Sequence, residues 1–269
     1  MIAQVRHRWS RFRTRLEGIP TRWLLAPTIG ILLALSISTV AYWSQLWPER
    51  GTDYRYFVAL ADRWVSGDGF YVPRQLAGPY VMTIDDNKYP PPALLLFLPF
   101  VWLPGLLWWV IPLVAIAIFV IRQRPAPWAW PLIALACLEP RTQAIVLWGN
   151  STMWVAAFVA LGLWAAWPSL LIMFKPYFAP FMLIGVHRRA WWVAAFVLLV
   201  VNIGLIPIWA QYLTAWRNAG ASWPSLDYSP FDLLILSIPL VAWLARTRTD
   251  TPPPGDVVRR SSGSARQIE

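Results

Sequence analysis

The chain has 269 residues, 58% hydrophobic and 13% charged, with 20 Trp and a balance of 23 Lys+Arg against 13 Asp+Glu. A soluble domain carries about a quarter charged residues, and one core of this size cannot bury so much apolar surface. The composition excludes a soluble enzyme, a disordered chain and a disulfide scaffold, and leaves an all-α, multi-span membrane bundle.

Residues 1–22 hold six arginines and read as a basic cytoplasmic segment. The apolar run 24–43 is twenty residues long, roughly 30 Å as a helix, which is one bilayer crossing. It opens a transmembrane bundle over 23–245 of about eight spans, with the N-terminus inside. An outer loop, 45–104, carries six of the 13 acids and ends in YPPPALLLFLPFVWLP, a Pro-interrupted half-helix at the outer interface. The pattern then predicts a crossing at 105–121, a return at 126–138, an outer turn at 139–150 and a crossing at 151–167. The segment 168–186 is broken by Lys175-Pro176 and reads as two half-helices meeting near the outer face. A crossing at 191–209, an outer loop at 210–230 and a crossing at 231–244 follow. The tail, 246–269, is rich in Pro, Ser and Gly and reads as disordered in the cytoplasm. This layout puts fifteen of the 23 Lys/Arg inside, as the positive-inside rule requires of a plasma-membrane protein with both termini cytoplasmic.

Few residues carry chemistry. Cys137 is the sole cysteine, and His7 and His187 lack partners at metal-ligand spacing, so neither a disulfide nor a metal site is expected. No phosphate-binding or dinucleotide motif occurs, so no cofactor is expected. Confinement of the basic residues to short segments between apolar runs argues against nucleic acid.

In the outer loop, Phe57, Leu60, Ala61 and Trp64 recur at i, i+3, i+4 and i+7. That stripe predicts an amphipathic helix over 53–65, lying on the outer membrane surface, with Asp53 at its N-terminus. There Asp53 is a candidate general base, kept ionised by the positive helix end; aspartate is also a routine N-cap. Lys88 and Tyr89, in DDNKYPPP, are candidates for a lipid phosphate or for an ordinary interfacial pair. Lys175 lies within an apolar run, which costs about 2.5–3.5 kcal/mol on insertion scales and points to a cavity or an anion. Arg141 and the turn Gly149-Asn150-Ser151-Thr152 form a further outer element, and Asp227, Tyr228 and Asp232 are candidates for acceptor contacts.

The order of these elements resembles the GT-C type integral-membrane glycosyltransferases, specifically glycosyltransferase family 87. The resemblance rests on Asp53 after the first span, Gly67-Asp68-Gly69-Phe70-Tyr71, Tyr89-Pro90-Pro91 with its half-helix, the Gly149 to Thr152 turn, Lys175-Pro176, and Arg188-Arg189-Ala190-Trp191. It covers about 45–192, and it implies an inverting transfer at the outer face. A hexose, mannose in this family, would leave a polyprenyl-phosphate donor for a hydroxyl on a glycan or glycolipid acceptor. Asp53 would be the catalytic base. Lys175 would stabilise the departing phosphate, and Lys88, Tyr89, Arg141, Asn150 and Tyr54 would complete the substrate-binding set. The short chain also fits a non-catalytic membrane subunit that partners a larger glycan-assembly enzyme.

Overall fold

The computed structural model describes residues 29–30, 33–34, 37, 47–83, 86–222 and 230–247. The basic segment, most of the expected first span, Asp85, Asp227, Tyr228 and all but the start of the tail lie outside the described residues. The fold is all-α. In chain order the helices are α1 (Thr52–Val65), α2 (Pro73–Ala77), α3 (Pro92–Phe97), α4 (Leu107–Gln123), α5 (Ala129–Leu138), α6 (Pro140–Trp148), α7 (Thr152–Ala165), α8 (Ala179–Met182), α9 (Arg189–Gly204), α10 (Ile206–Ala219) and α11 (Leu234–Leu244). Short 3₁₀ segments join them, the longest being Trp167–Phe174. An isolated β-bridge between Pro125 and Arg246 ties the α4–α5 turn to the end of α11.

Helix α7 is the axis. It is apolar all round, the mark of a core helix, and ten of its 14 residues are buried. It packs against α4, α11 and the 3₁₀ run Trp167–Phe174. Small residues permit the close approach: a side chain on Gly162 would lie 2.9 Å from the Ser169 Cβ.

The predicted loop helix is present as α1, but its apolar stripe faces protein. Phe57, Leu60 and Ala61 are buried, with Phe57 stacked on Phe97 at 4.6 Å. Trp64 alone of the four stays 39% exposed. Aromatic contacts continue from Phe57 through Trp108 to Trp154.

Three local expectations are corrected. The stretch 139–150, expected as a turn, holds the nine-residue α6. Its polar residues hide a complete helix signature. The Glu139 carboxylate accepts from the Thr142 amide at 2.8 Å, Pro140 fills the first turn, and Gly149 ends the helix at φ +71°. The expected crossing at 191–209 is broken at Leu205, where Gly204 precedes a Pro207 that can donate no hydrogen bond. The expected loop at 210–230 begins as helix, because α10 runs on to Ala219 and packs on α2. Asn218 Nδ2 donates to the Gln75 carbonyl at 2.9 Å, and the Tyr80 hydroxyl donates to the Ala215 carbonyl at 3.3 Å.

Segments 70–83 and 86–89 are held together by buried polar groups. Both the Nε and a terminal nitrogen of Arg74 lie 2.9 Å from Asp86 Oδ1, and the Thr83 amide donates to Oδ2 at 2.7 Å. The Asp86 side chain is fully buried while Arg74 is 51% exposed, and removing the carboxylate loses the Arg74 pair together with the bonds from the Thr83 amide and hydroxyl. Asp86→Ala should therefore destabilise the protein by about 1–3 kcal/mol, read as a lowered thermal unfolding midpoint.

Among the described residues no single helix is long and apolar enough to cross a membrane. Two bent pairs have the length and composition together: α6 with α7, at 102°, and α9 with Ile206–Ser222, at 76°. Helix α9 buries only Trp191; Trp192, Val193, Phe196, Leu199, Val200 and Ile203 are each at least half exposed.

Candidate functional site

The α6–α7 bend is built from backbone bonding at the end of α6. The last carbonyls of a helix have no partners within it, and here neighbouring elements supply them. Trp109 Nε1 donates to the Val146 carbonyl at 2.7 Å, and the Gly51 amide to the Leu147 carbonyl at 2.9 Å. Trp108 Nε1 donates to the Gly149 carbonyl at 2.7 Å. A side chain on Gly149 would sit 2.7 Å from the Trp109 ring and 2.9 Å from the Tyr54 Cβ, at a φ that L-residues avoid, so this position requires glycine. The clamp fixes Asn150 against the first turn of α1.

Asn150 joins the two residues singled out for opposite charges. Its Nδ2 donates to Asp53 Oδ2 at 2.5 Å, and its Oδ1 accepts from Lys175 Nζ at 2.9 Å. Lys175 Nζ also donates to Thr152 Oγ1 at 2.6 Å. The Thr152 amide and hydroxyl donate to Asn150 Oδ1 at 2.9 and 2.7 Å, which fixes the amide's orientation. Asp53 is not the cap of α1. That position is Gly51, without a side-chain cap bond, and the Asp53 carboxylate is turned to Asn150 instead.

Lys175 is 1% exposed. It sits at the end of the 3₁₀ run with φ −126° and ψ 86°, outside the helical region that a following proline disfavours. The run is anchored by Ser169, whose Oγ lies 2.8, 3.0 and 2.9 Å from the carbonyls of Ala166, Met182 and Ile184. Lys88, Tyr89, Lys175 and Tyr177 line a small cleft. The Tyr89 ring packs edge-on against Phe57 and Phe97, and its carbonyl accepts from the Tyr71 hydroxyl at 2.7 Å. Arg141 Nε donates to the buried Asp232 Oδ1 at 2.5 Å, so this arginine and this candidate acceptor residue form one pair. Tyr54 packs on Trp108 and Trp109, outside the Asn150 network.

Lys175, Lys88 and Arg141 all act electrostatically on Asp53 and favour its ionised form. Burial outweighs them and the Asn150 hydrogen bond, and holds the Asp53 carboxyl above its ordinary value. Folded protein therefore binds this proton more tightly than unfolded chain. The group's stabilising contribution is present below the ordinary carboxylate range and is lost as pH rises through the raised value. Asn150→Ala removes a bond to the ionised form and should raise the Asp53 value further, which a ¹³C NMR titration of labelled aspartate would detect.

Asn150, expected among the substrate-binding residues, joins Asp53 to Lys175, and Thr152 is the member of this network that the sequence did not single out. Thr152 lies two positions after Asn150 in the Gly149 to Thr152 turn; its role as a lysine partner depends on the 102° bend. No protein-family model, curated protein or solved structure matches this chain.

Proposed function

We propose that the chain is a polytopic membrane glycosyltransferase, GT-C-like in layout, working at the outer face of the plasma membrane. It moves a hexose, mannose by the sequence resemblance, from a polyprenyl-phosphate donor to a hydroxyl of a glycan or glycolipid acceptor. Membrane insertion is supported by the outward apolar wall of α9, by the two bent helix pairs, and by the Lys/Arg bias between the proposed faces.

One observation carries the catalytic reading: a single asparagine side chain bonds both the carboxylate of Asp53 and the ammonium of Lys175. A carboxylate accepts at both oxygens, so Asn150 on Oδ2 leaves Oδ1 for an acceptor hydroxyl. Asp53 takes that proton as the hydroxyl oxygen bonds to the anomeric carbon from the face opposite the phosphate. The bond from carbon to phosphate oxygen breaks, its electron pair stays on the phosphate, and the configuration inverts. Lys175, with Lys88 beside the same cleft, stabilises the growing negative charge. Burial of the base suits the task, because a carboxyl held above its ordinary value is a stronger proton acceptor when ionised.

The test is radiolabelled mannose transfer from polyprenyl-phosphate mannose in proteoliposomes containing only this protein. Transfer to a supplied glycan or glycolipid supports the reading. No transfer, with co-purification of a larger glycosyltransferase, replaces it by the subunit reading.

A further inference from the structure

A second concave region lies on the far side of α1's first turn. Asp53 faces Asn150, whereas Arg55, two residues on, is rotated roughly 200° around the helix. Arg55 and Arg50 line an open pocket of about 410 Å³ with Gly51, Tyr54, Trp109 and Val146. Its arginines are distinct from the three cations that act on Asp53.

An apolar groove of about 410 Å³ between α4, α5, α6 and α11 lies beside this pocket, and Val146 lines both. Each volume lies in the range of small-molecule sites. Helix α4 borders both: Trp109 lines the arginine pocket, and Leu113, Ile116, Ala117, Val120 and Ile121 line the groove. These positions recur at i, i+4, i+7, i+8, i+11 and i+12, one helix face about 18 Å long. That is close to the depth of one leaflet, about 15 Å. Thr142, one turn before Val146 on α6, also lines the groove. It is 3% exposed, and its hydroxyl has no hydrogen-bond partner.

We propose that the arginine pocket and the adjoining groove together bind one anionic phospholipid of the outer leaflet. Its phosphate lies between Arg50 and Arg55, an ester oxygen reaches the Thr142 hydroxyl, and one acyl chain fills the groove. Charge complementarity selects the headgroup, the apolar length selects a chain, and the buried hydroxyl selects an oxygen at their junction. The inference rests on the membrane-protein reading but not on the glycosyltransferase chemistry.

Native mass spectrometry of the purified full chain in detergent, with added palmitoyl-oleoyl phosphatidylglycerol or phosphatidylcholine, tests it. Wild type should retain one phosphatidylglycerol in preference to phosphatidylcholine. The double variant Arg50→Ala with Arg55→Ala should lose about thirtyfold of the phosphatidylglycerol affinity and little of the phosphatidylcholine affinity. Ala117→Trp, at an exposed position in the groove, should weaken both lipids. Equal retention of the two lipids by wild type, unchanged phosphatidylglycerol binding in either variant, or a lipid-free dimer would overturn the proposal. Alkaline carbonate extraction of membranes separates the two failures. A released protein defeats the membrane reading, whereas a retained protein without lipid preference defeats only this site.

Discussion

Asp53→Asn should lower the rate of mannose transfer by about 10²–10⁴-fold, the usual worth of a positioned general base, while the protein still inserts and folds. Asparagine keeps the size of the side chain and can still accept from Asn150 Nδ2, so the junction between α1 and α6 is preserved. It cannot take the acceptor's proton. The substitution should also raise the unfolding temperature at neutral pH, because it replaces a carboxylate whose charged form burial disfavours. Lost activity with retained or increased stability separates a catalytic carboxylate from a structural one. Wild-type transfer by Asp53→Asn in proteoliposomes would refute the assignment of the base.

Lys175→Met carries the second large effect. Removing one preorganised donor from a developing charge costs about 10²–10³ in rate, and the loss should fall on kcat rather than on donor KM. Charge on the phosphate oxygen grows as the bond to the sugar breaks, so the ammonium is worth more in the transition state than in the bound donor. Methionine matches the length of the lysine stem and removes a buried charge. The Thr152 amide and hydroxyl still donate to Asn150 Oδ1, so the asparagine keeps its orientation. A change confined to KM would assign Lys175 to donor binding alone. Unfolding without recovery of structure would assign it to the fold.

The sequence exposed the parts of this arrangement that local rules encode. The stripe from Phe57 to Trp64 specified α1, and the Lys175-Pro176 break placed a cation where a helix could not continue. Where that stripe goes was not legible. Phe57 meets Phe97 and Trp108, contacts between elements far apart in the chain, and periodicity alone cannot distinguish lipid from protein as the partner. Helix α6 was masked for a different reason. Its polar residues serve its ends and neighbours, with Glu139 capping Thr142 and Arg141 reaching Asp232, so polarity imitated a loop. The union of Asp53 with Lys175 depends on a bend and three indole or amide donors around Gly149, a tertiary device with no one-dimensional signature.

Both ends of the Asn150 side chain are engaged within the fold. Asn150-Ser151-Thr152 is an acceptor triplet for N-linked oligosaccharide, yet in the native protein the amide nitrogen is engaged by Asp53 and the oxygen by Lys175 and Thr152. An oligosaccharyltransferase would have to meet this triplet before the chain closes around it. In a eukaryotic expression host, a sugar chain on Asn150 would therefore mark molecules intercepted during biogenesis, and its occupancy would measure how slowly this corner of the protein matures.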